Sequence, residues 1–243
     1  MNSTNIFSIF TDFPDLLVAF SYKNDGSMRF VDSLVDKEIL KNRERFLKKY
    51  GIIPGAVVNA GLEHGDNVQL VSRIEAGKFI PKTDALVTNE NNLNLSITVA
   101  DCLPIFIYDP KQKVVALIHE GWRGLATNII KKTIEVLKAK GSLPEDLLIG
   151  IGPGIGKCHF EVKDDVLGKF EDYSDVIEKR SDKFFIDLKK VAQIQLVAEG
   201  VKKENIEISP LCTFCGSERY FSARRDKREP LETMIAVIGL KEN

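Results

Sequence analysis

The clearest pattern in the chain is a series of short apolar runs between residues 84 and 118. Residues 84–88, 95–99 and 103–108 are rich in β-branched and other apolar side chains, a composition typical of buried strands. The pair Asp109-Pro110 marks a turn before a fourth run at residues 113–118. The pattern predicts a cluster of strands in the middle of the chain.

Helices are predicted on both sides of this cluster. Residues 31–50 and 125–140 place apolar side chains at the spacing of an amphipathic helix, and Gly51 and Gly141 follow as stop signals. A third helix is predicted at residues 187–200. Further short strands are predicted at residues 55–60, 147–151, 206–209 and 234–240.

The two halves of the chain are alike in kind, because each gives strands, then a helix, then strands. No Pro/Gly/Ser-rich break separates them, and the sequence shows no short-period repeat. With 243 residues, 44% of them hydrophobic, the chain is long enough to bury a sizeable core. The sequence therefore predicts one mixed α/β domain over residues 1–243.

Net charge and the N-terminal segment argue against nucleic acid and membranes as partners. Lys and Arg together number 34 against 35 Asp and Glu, so no overall field attracts nucleic acid or an anionic membrane. Asp12, Pro14 and Asp15 interrupt the apolar N-terminal segment, and no basic residue precedes it. Neither a signal peptide nor a membrane span fits this pattern. A cytoplasmic protein that acts on a small molecule is expected, with its oligomeric state left open.

Four cysteines, at positions 102, 158, 212 and 215, are interpreted as thiols because no secretory signal accompanies them. Cys212-x-x-Cys215 has the spacing of a metal or redox motif. No second motif of this kind and no histidine pair follows it, so a structural zinc site is expected to lack ligands. Both cysteines are therefore interpreted as ordinary buried or half-buried thiols.

The pair Cys102 and His119 carries the strongest chemical signal. Cys102 lies at the junction of two predicted strands, and His119 ends the strand after the Asp109-Pro110 turn, so the returning chain should bring them close. A thiolate and two imidazoles can bind zinc and leave a fourth position for water or substrate. Alternatively, Cys102 is the nucleophile of an amide hydrolase and His119 its base. The spacing is compatible with both interpretations.

Several cations and amides are candidates for holding an anionic substrate, because guanidinium groups bind phosphate bidentately. Arg123 is favoured because it lies two residues beyond the glycine that follows His119. The glycine-rich segment 150–156 is not interpreted as a dinucleotide site, since Pro153 breaks the expected entry into a helix. It is expected to form a tight turn near a ligand or another strand. The remaining candidates are Lys23, Asn42, Arg43, Arg224 and Arg225.

Several segments resemble the laccase-domain or purine nucleoside phosphorylase family, also called the multicopper polyphenol oxidoreductase or YfiH-like family. They occur in the family's order from about residue 20 to the C-terminus, and together they are specific. The matching segments are His64-Gly65, Thr98-Val99-Ala100-Asp101-Cys102-Leu103-Pro104, His119-Glu120-Gly121-Trp122-Arg123-Gly124, Ile151-Gly152-Pro153-Gly154-Ile155, Cys212-Thr213 and Phe221-Ser222-Ala223-Arg224-Arg225-Asp226.

The resemblance implies a zinc-bound active site formed by His64, Cys102 and His119, with Cys102 and His119 in catalytic positions. It implies phosphorolysis of adenosine, inosine or methylthioadenosine to the free base and ribose 1-phosphate, and an accompanying adenosine deaminase activity. Its partners would thus be a purine nucleoside and phosphate. The implied fold is a mixed β-sandwich flanked by helices, built from a duplicated motif and similar to cysteine hydrolases of the toxin deamidase type.

The sequence departs from the family pattern at Leu62, Lys23, Glu120 and Glu232-Thr233. These changes leave the three metal ligands intact and affect the expected phosphate and nucleoside contacts. A multicopper laccase needs many more imidazoles than the three histidines of this chain. True laccase activity is therefore not expected, although Cu²⁺ should compete for the single site in vitro. The alternatives are the Cys102/His119 amide hydrolase and a non-catalytic metal-binding protein.

Overall fold

A computed structural model of the protein describes residues 6–29 and 36–242. The α-helices are α1 (Lys37–Lys49), α2 (Trp122–Ala126), α3 (Ile129–Ala139), α4 (Asp164–Leu167), α5 (Leu188–Ala198) and α6 (Ala223–Asp226). The strands are β1 (Leu16–Phe20), β2 (Val57–Gly61), β3 (Val68–Leu70), β4 (Phe79–Pro81), β5 (Ala85–Thr88), β6 (Asn94–Val99), β7 (Leu103–Asp109), β8 (Val114–Glu120), β9 (Leu148–Ile151), β10 (Glu161–Val162), β11 (Ile177–Arg180), β12 (Lys183–Ile186), β13 (Ile206–Ile208) and β14 (Met234–Leu240).

A six-stranded mixed sheet in the order β13-β9-β7-β8-β5-β3 forms the centre of the molecule. Every residue of β7 and β8 is buried. Successive side chains of a strand point to opposite faces, so Ile105 and Ile107 pack in the cluster shared with helices α3 and α5, while Phe106 and Tyr108 pack in the cluster on the other face. Burial on both faces explains the nearly continuous apolar runs in the sequence.

A five-stranded mixed sheet, in the order β1-β14-β6-β2-β4, covers that other face. Leu95 and Ile97 of β6 belong to the same apolar cluster as Phe106, so the two sheets form a sandwich. Phe46 of α1 packs with Ile235 against the outer face of the five-stranded sheet. The layers are thus α1, five strands, six strands, and the pair α3 and α5.

The strands predicted from the sequence in this core are confirmed within one or two residues of their predicted limits. The single helix predicted at residues 125–140 is wrong in detail. Asn128 has φ 60°, in the left-handed region, and divides the segment into α2 and α3. The Thr127 hydroxyl bonds back to the Arg123 carbonyl at 3.1 Å, which competes with helix continuation. Of the helix predicted at residues 31–50, residues 31–35 lie outside the described residues.

The hydrophobic pattern did not predict β1 or the small sheet β10-β12-β11. The strands of the small sheet are short and partly exposed. Charged residues interrupt β10 and β11, and the apolar part of β12 is only three residues long. Among the described residues, no helix combines the length and the apolar character that crossing a bilayer requires.

Candidate metal centre and active site

His64, Cys102 and His119 come together at one end of the sandwich. The ligand atoms of the three side chains all lie within 4.8 Å of one another. His64 follows β2 of the five-stranded sheet, Cys102 lies between β6 and β7, and His119 is the penultimate residue of β8. The centre is therefore built where the two sheets meet.

The pairing of β7 with β8 explains the approach of Cys102 to His119. Pro104 pairs with His119, and Leu103 with Glu120, in an antiparallel register. Cys102 precedes Leu103 and thus lies beside the end of β8. The predicted proximity of Cys102 and His119 is confirmed. The His64 ring completes the group, with its centroid 4.8 Å from that of His119 and the two planes at 83°.

A buried carboxylate, Asp84, fixes both histidines. Its Oδ1 lies 2.8 Å from Nδ1 of His119 and accepts the backbone N–H of His64 at 3.0 Å. Its Oδ2 accepts the backbone N–H of Gly65 at 2.9 Å and that of Glu63 at 3.2 Å. Asp84 therefore holds the 63–65 turn and leaves Nε2 of His119 as the nitrogen that faces Cys102 and His64.

The cysteine and histidine favour each other's charged forms. Burial alone would raise the pKa of the Cys102 thiol, but the charge of His119 and hydrogen bonds from His119 and His64 outweigh burial and lower this pKa from 9.0 to about 6. Burial would likewise lower the pKa of His119, yet Cys102 and Asp84 raise it. Burial also raises the pKa of the neighbouring Glu120 carboxyl well above its ordinary value. Without metal, these pKa shifts favour a thiolate–imidazolium pair of Cys102 and His119.

The donor set fits a transition metal such as zinc. One sulfur and two imidazole nitrogens are typical zinc ligands, and three protein ligands leave a fourth position open, as in catalytic sites. The contact between Asp84 and Nδ1 of His119 is the carboxylate–histidine arrangement that orients a metal-bound imidazole. Gly121 leaves the room, because a Cβ on it would lie 3.1 Å from the Cys102 sulfur and 3.6 Å from the His64 ring.

Two cavities share His64 and Cys102 in their walls. The larger, about 490 Å³, also contacts His119, Arg29 and Phe79. The smaller, about 230 Å³, lies on the side of Gly121 and Trp122. The larger volume falls within the range usual for small-molecule sites. The candidate centre thus has space for ligands on two sides.

The structure places two of the candidate anion ligands beside the centre. Arg123 and Arg224 line the 230 Å³ cavity together with Cys102. The Arg123 guanidinium lies 4.4 Å from the Trp122 ring centroid, and Arg224 donates to the Glu161 carbonyl at 2.9 Å. Arg225 donates instead to the carbonyls of Thr213 and Phe214, each at 2.8 Å.

Lys23, Asn42 and Arg43 lie apart from the candidate metal ligands. Lys23 and Asn42 line a third cavity of about 740 Å³, which shares Arg29 with the 490 Å³ cavity. Arg43 is only 5% exposed and donates to the Met28 carbonyl at 2.8 Å and to the Asn59 side-chain oxygen. The prediction that Arg43 binds an anionic substrate is corrected, because a backbone carbonyl and an amide oxygen hold its guanidinium inside the protein.

Three residues of the site are not predicted from the sequence. Asp84 stands directly before β5, and its signal is a carboxylate at the edge of an apolar run. Asp101 has φ 86° and accepts bonds from the Thr213 hydroxyl at 2.6 Å and the Arg224 amide at 2.7 Å. Arg29 lines both larger cavities, and no pattern in the sequence distinguishes it from other surface cations.

A second cluster of ligand atoms corrects the interpretation of Cys212 and Cys215. Cys158 and His159 lie beside them, and the ligand atoms of all four side chains are within 4.8 Å of one another. The expectation that a metal site at Cys212-x-x-Cys215 would lack ligands is therefore wrong. The missing donors come from the loop after β9, which is more than fifty residues earlier in the chain.

The fold is shared with solved structures of bacterial proteins. A Bacillus licheniformis protein described as hypothetical protein YfiH superposes with a TM-score of 0.89 at 27% identity, covering 95% of both chains. The structure of YlmD from Geobacillus stearothermophilus gives the same TM-score and identity, covering 95% of this chain and 93% of that one. These similarities confirm a mixed α/β fold with several mixed sheets.

Sequence relatives are named for a nucleoside reaction. The chain is 30% identical to a Bacillus subtilis protein named purine nucleoside phosphorylase YlmD, over 94% of this chain and 90% of the relative. It is 31% identical to the Geobacillus stearothermophilus protein of the same name, over 84% and 80% of the two chains. Residues 27–241 match the family model described as multi-copper polyphenol oxidoreductase laccase. The chain therefore belongs to the multi-copper polyphenol oxidoreductase laccase family, as its motifs predict.

Proposed function

We propose that this protein is a zinc-dependent purine nucleoside phosphorylase that acts on adenosine, inosine or methylthioadenosine. The observation that carries the proposal is the convergence of the His64, Cys102 and His119 ligand atoms within 4.8 Å, in the wall between two cavities. The names of the relatives support the reaction class. We include a secondary adenosine deaminase activity, in which water attacks C6 of the purine and the amino group leaves as ammonia while the glycosidic bond stays intact.

In the proposed reaction, a phosphate oxygen forms a bond to C1′ of the ribose while the bond from C1′ to the purine nitrogen breaks. The electron pair of that bond leaves with the base, which takes up a proton, and ribose 1-phosphate is released. A zinc ion held by His64, Cys102 and His119 would supply Lewis-acid stabilisation of developing negative charge. Asp84 keeps the His119 ring in the orientation that binding requires.

Arg123 and Arg224 are proposed to hold the phosphate. Both line the 230 Å³ cavity next to Cys102, and guanidinium groups bind phosphate oxygens through paired N–H donors. The nucleoside is assigned to the 490 Å³ cavity, whose wall combines Phe79 with Arg29 and Thr98. Apolar walls with a few polar groups are typical of sites for small organic ligands.

Lys23 and Asn42 are proposed to contact the outer part of the substrate, because their cavity adjoins the nucleoside cavity at Arg29. Arg43 is left out of the substrate site because its donors are occupied inside the protein. We further propose that residues 1–243 form one catalytic domain that works in the cytoplasm. A duplicated motif and a likeness to cysteine hydrolases belong to the same proposal.

A specific observation also favours the amide hydrolase as a second candidate. Cys102, His119 and Asp84 stand in the order of a nucleophile, a base and an orienting carboxylate. In that reaction, the Cys102 sulfur attacks an amide carbonyl, the amine leaves with a proton from His119, and water then releases the acid. This candidate needs no metal, so chelation separates the two.

The deciding experiment combines elemental analysis of the purified protein with chromatography of adenosine, inosine and methylthioadenosine incubated with and without phosphate. The proposal expects bound zinc and release of free base that depends on both phosphate and zinc. Zinc-loaded protein that leaves all three nucleosides intact would overturn it. Hydrolysis of an amide substrate that survives chelation but is lost when iodoacetamide alkylates Cys102 would favour the hydrolase.

A further inference from the structure

The second ligand cluster lies where two loops leave the same edge of the six-stranded sheet. β9 and β13 are parallel neighbours, with Ile151 paired to Ile208. The loops that follow them stay in register, because Gly154 forms a bridge with Cys212 and accepts the Thr213 amide at 3.0 Å. This pairing brings Cys158 and His159 of one loop to Cys212 and Cys215 of the other.

Two of the distances within the cluster are close to the edges of a zinc coordination tetrahedron, and all ligand atoms lie within 4.8 Å of one another. The Cys158 and Cys215 sulfurs are 3.6 Å apart, and the Cys215 sulfur is 3.3 Å from Nδ1 of His159. With Zn–S of about 2.3 Å and Zn–N of about 2.0–2.1 Å, a tetrahedron has S–S edges of about 3.8 Å and S–N edges of about 3.6 Å. Only small side-chain shifts separate the cluster from this geometry.

The backbone around Cys212 is arranged to support a thiolate. The Gly156 amide donates to the Cys212 sulfur at 3.2 Å, and the Cys215 amide also bonds to it. The Gly216 amide donates to the Cys212 carbonyl at 3.0 Å, which closes the turn between the two cysteines. A Cβ at Gly156 would lie 3.1 Å from the Cys158 sulfur, so glycine provides the space for this approach.

The fourth donor is held in place by an aromatic contact. The His159 ring stacks on Phe214 with centroids 3.9 Å apart and planes at 15°. This stacking fixes the ring while its Nδ1 is directed at the Cys215 sulfur. Phe214 lies between Cys212 and Cys215 in sequence, so the Cys-x-x-Cys turn itself positions the histidine.

We infer that Cys158, His159, Cys212 and Cys215 bind a second zinc ion in a closed structural site, distinct from the centre at His64, Cys102 and His119. Four protein ligands fill the tetrahedron and leave no open position, which is the mark of a structural rather than a catalytic site. The inference does not depend on the reaction at the first centre.

The chemistry of the cluster favours metal over a disulfide. Three sulfurs cannot all be paired within it, and a disulfide between Cys158 and Cys215 would require contraction from 3.6 Å to about 2.05 Å. A disulfide would also not explain why Nδ1 of His159 is directed at the Cys215 sulfur. Zinc would use all four donors after only small side-chain shifts.

The ion would clamp two loops that form one wall of the candidate active site. Phe160 directly follows the ligand His159, and Arg224 lies at the far end of the Cys212 loop region. Both residues line the 230 Å³ cavity, and the Arg224 guanidinium lies 5.5 Å from the Phe160 ring. Zinc at this cluster would therefore fix the position of a proposed phosphate ligand.

Metal counting on the full-length protein tests the inference. Wild-type protein, purified under reducing conditions and dialysed against zinc, should hold about two zinc ions per chain. Cys102→Ser should remove the zinc of the first centre and Cys215→Ser that of the second, leaving about one each. Ser217→Ala changes the same loop without removing a donor and should keep both ions.

A spectroscopic measurement keeps the test valid if Cys215→Ser does not fold. Cys102→Ser protein is loaded with Co²⁺ in place of zinc, so that the first centre contributes no thiolate. A closed Cys₃His site should give strong thiolate-to-cobalt charge-transfer absorption and the intense visible bands of tetrahedral Co²⁺. Absence of these bands, or wild-type protein that holds a single zinc ion retained in Cys215→Ser, would overturn the inference.

Discussion

Asp84 and His119 are joined by a contact of 2.8 Å between Oδ1 and Nδ1 in a part of the protein almost closed to solvent. The same carboxylate accepts three backbone amides of the turn that carries His64. A single side chain thus aligns two candidate metal ligands that come from different sheets. The arrangement makes Asp84 the positioning residue of the centre, although it is not itself a ligand.

Asp84→Asn is expected to weaken zinc binding at the first centre by about 10–100-fold, the usual cost of losing such an orienting carboxylate. The amide keeps the size of the side chain but places an N–H₂ group against backbone donors. The measurement is a competition titration with a chromophoric chelator. Asp66→Asn, which removes a nearby carboxylate paired with Lys132 at 2.8 Å, should leave zinc affinity unchanged. Equal affinities for Asp84→Asn and wild type would refute this role.

Cys102 is expected to react as a thiolate at unusually low pH once the metal is removed. Because the folded protein lowers the pKa of Cys102 to about 6, its alkylation rate should rise through pH 6 and reach a plateau by about pH 8. An ordinary thiol would still be mostly protonated there. The rate with iodoacetamide is followed by peptide mass spectrometry, which separates Cys102 from the other cysteines.

His119→Gln provides the matched control for that profile. It removes the positive charge that lowers the pKa of Cys102 while keeping a hydrogen-bonding side chain. The midpoint of alkylation should then move up toward 9.0, because burial raises the pKa and only the weaker contribution of His64 still opposes it. A midpoint that stays near pH 6 in this variant would show that another group stabilises the thiolate.

Gly121→Ala should damage the metal centre without unfolding the protein. The added Cβ would lie 3.1 Å from the Cys102 sulfur, closer than most real contacts, so the sulfur would have to move by a few tenths of an ångström. We expect at least a tenfold loss of zinc affinity, since displaced ligands bind a metal poorly. Gly55→Ala is the control, because nothing lies within 4 Å of its added Cβ. Zinc titration and thermal unfolding of both variants measure the two effects separately.

The sequence predicts the central sheets well because their strands are buried, and burial requires apolar residues that are visible in the sequence. β7 and β8 are buried on both faces, so an apolar run alone identifies each strand, and the Asp109-Pro110 turn identifies their pairing. That pairing is enough to bring Cys102 to His119. The small sheet β10-β12-β11 gives no such signal, because its half-exposed strands mix charged and apolar residues.

The remaining parts of both metal clusters depend on contacts between distant segments. His64 reaches the centre only because the five-stranded sheet packs on the six-stranded sheet, and from the residues alone nothing indicates this. The same holds for Cys158 and Cys212, whose loops meet through the parallel pairing of β9 with β13. Local spacing rules for metal sites do not detect ligands that a sheet assembles from separate loops.

Arg123 and Arg43 are expected to have different roles, the first in phosphate binding and the second in stability. Arg123→Ala should raise the KM for phosphate by about 10–100-fold, the effect of losing about 1.5–3 kcal/mol of charge-assisted hydrogen bonding. Arg43→Met should leave that KM unchanged and lower the stability by about 2–4 kcal/mol, because the Met28 carbonyl and the Asn59 side chain lose a buried donor. Phosphate-dependent kinetics and urea unfolding measure the two quantities. A raised phosphate KM in Arg43→Met would return this residue to the substrate site.

Asp101 should be a major source of stability beside the 230 Å³ cavity. It is 8% exposed, and its carboxylate accepts the Thr213 hydroxyl, the Ser222 hydroxyl and the Arg224 amide at 2.6, 2.9 and 2.7 Å. Its φ of 86° lies in a region that costs most non-glycine residues energy, and Asn or Asp tolerates it best. These contacts hold the segment that begins with Cys102 against the segment that carries Arg224.

Asp101→Ala removes all three acceptor contacts and keeps the unfavourable φ, so we expect a loss of about 3–5 kcal/mol in the free energy of unfolding. Asp101→Asn keeps one acceptor oxygen and the tolerance for positive φ, and it should cost about half as much. Urea unfolding at neutral pH gives both values. Because Asp101→Ala releases the Arg224 amide, this variant should also bind phosphate more weakly while zinc affinity stays near that of the wild type. If Asp101→Ala were as stable as Asp101→Asn, the three hydrogen bonds could not be what joins these segments.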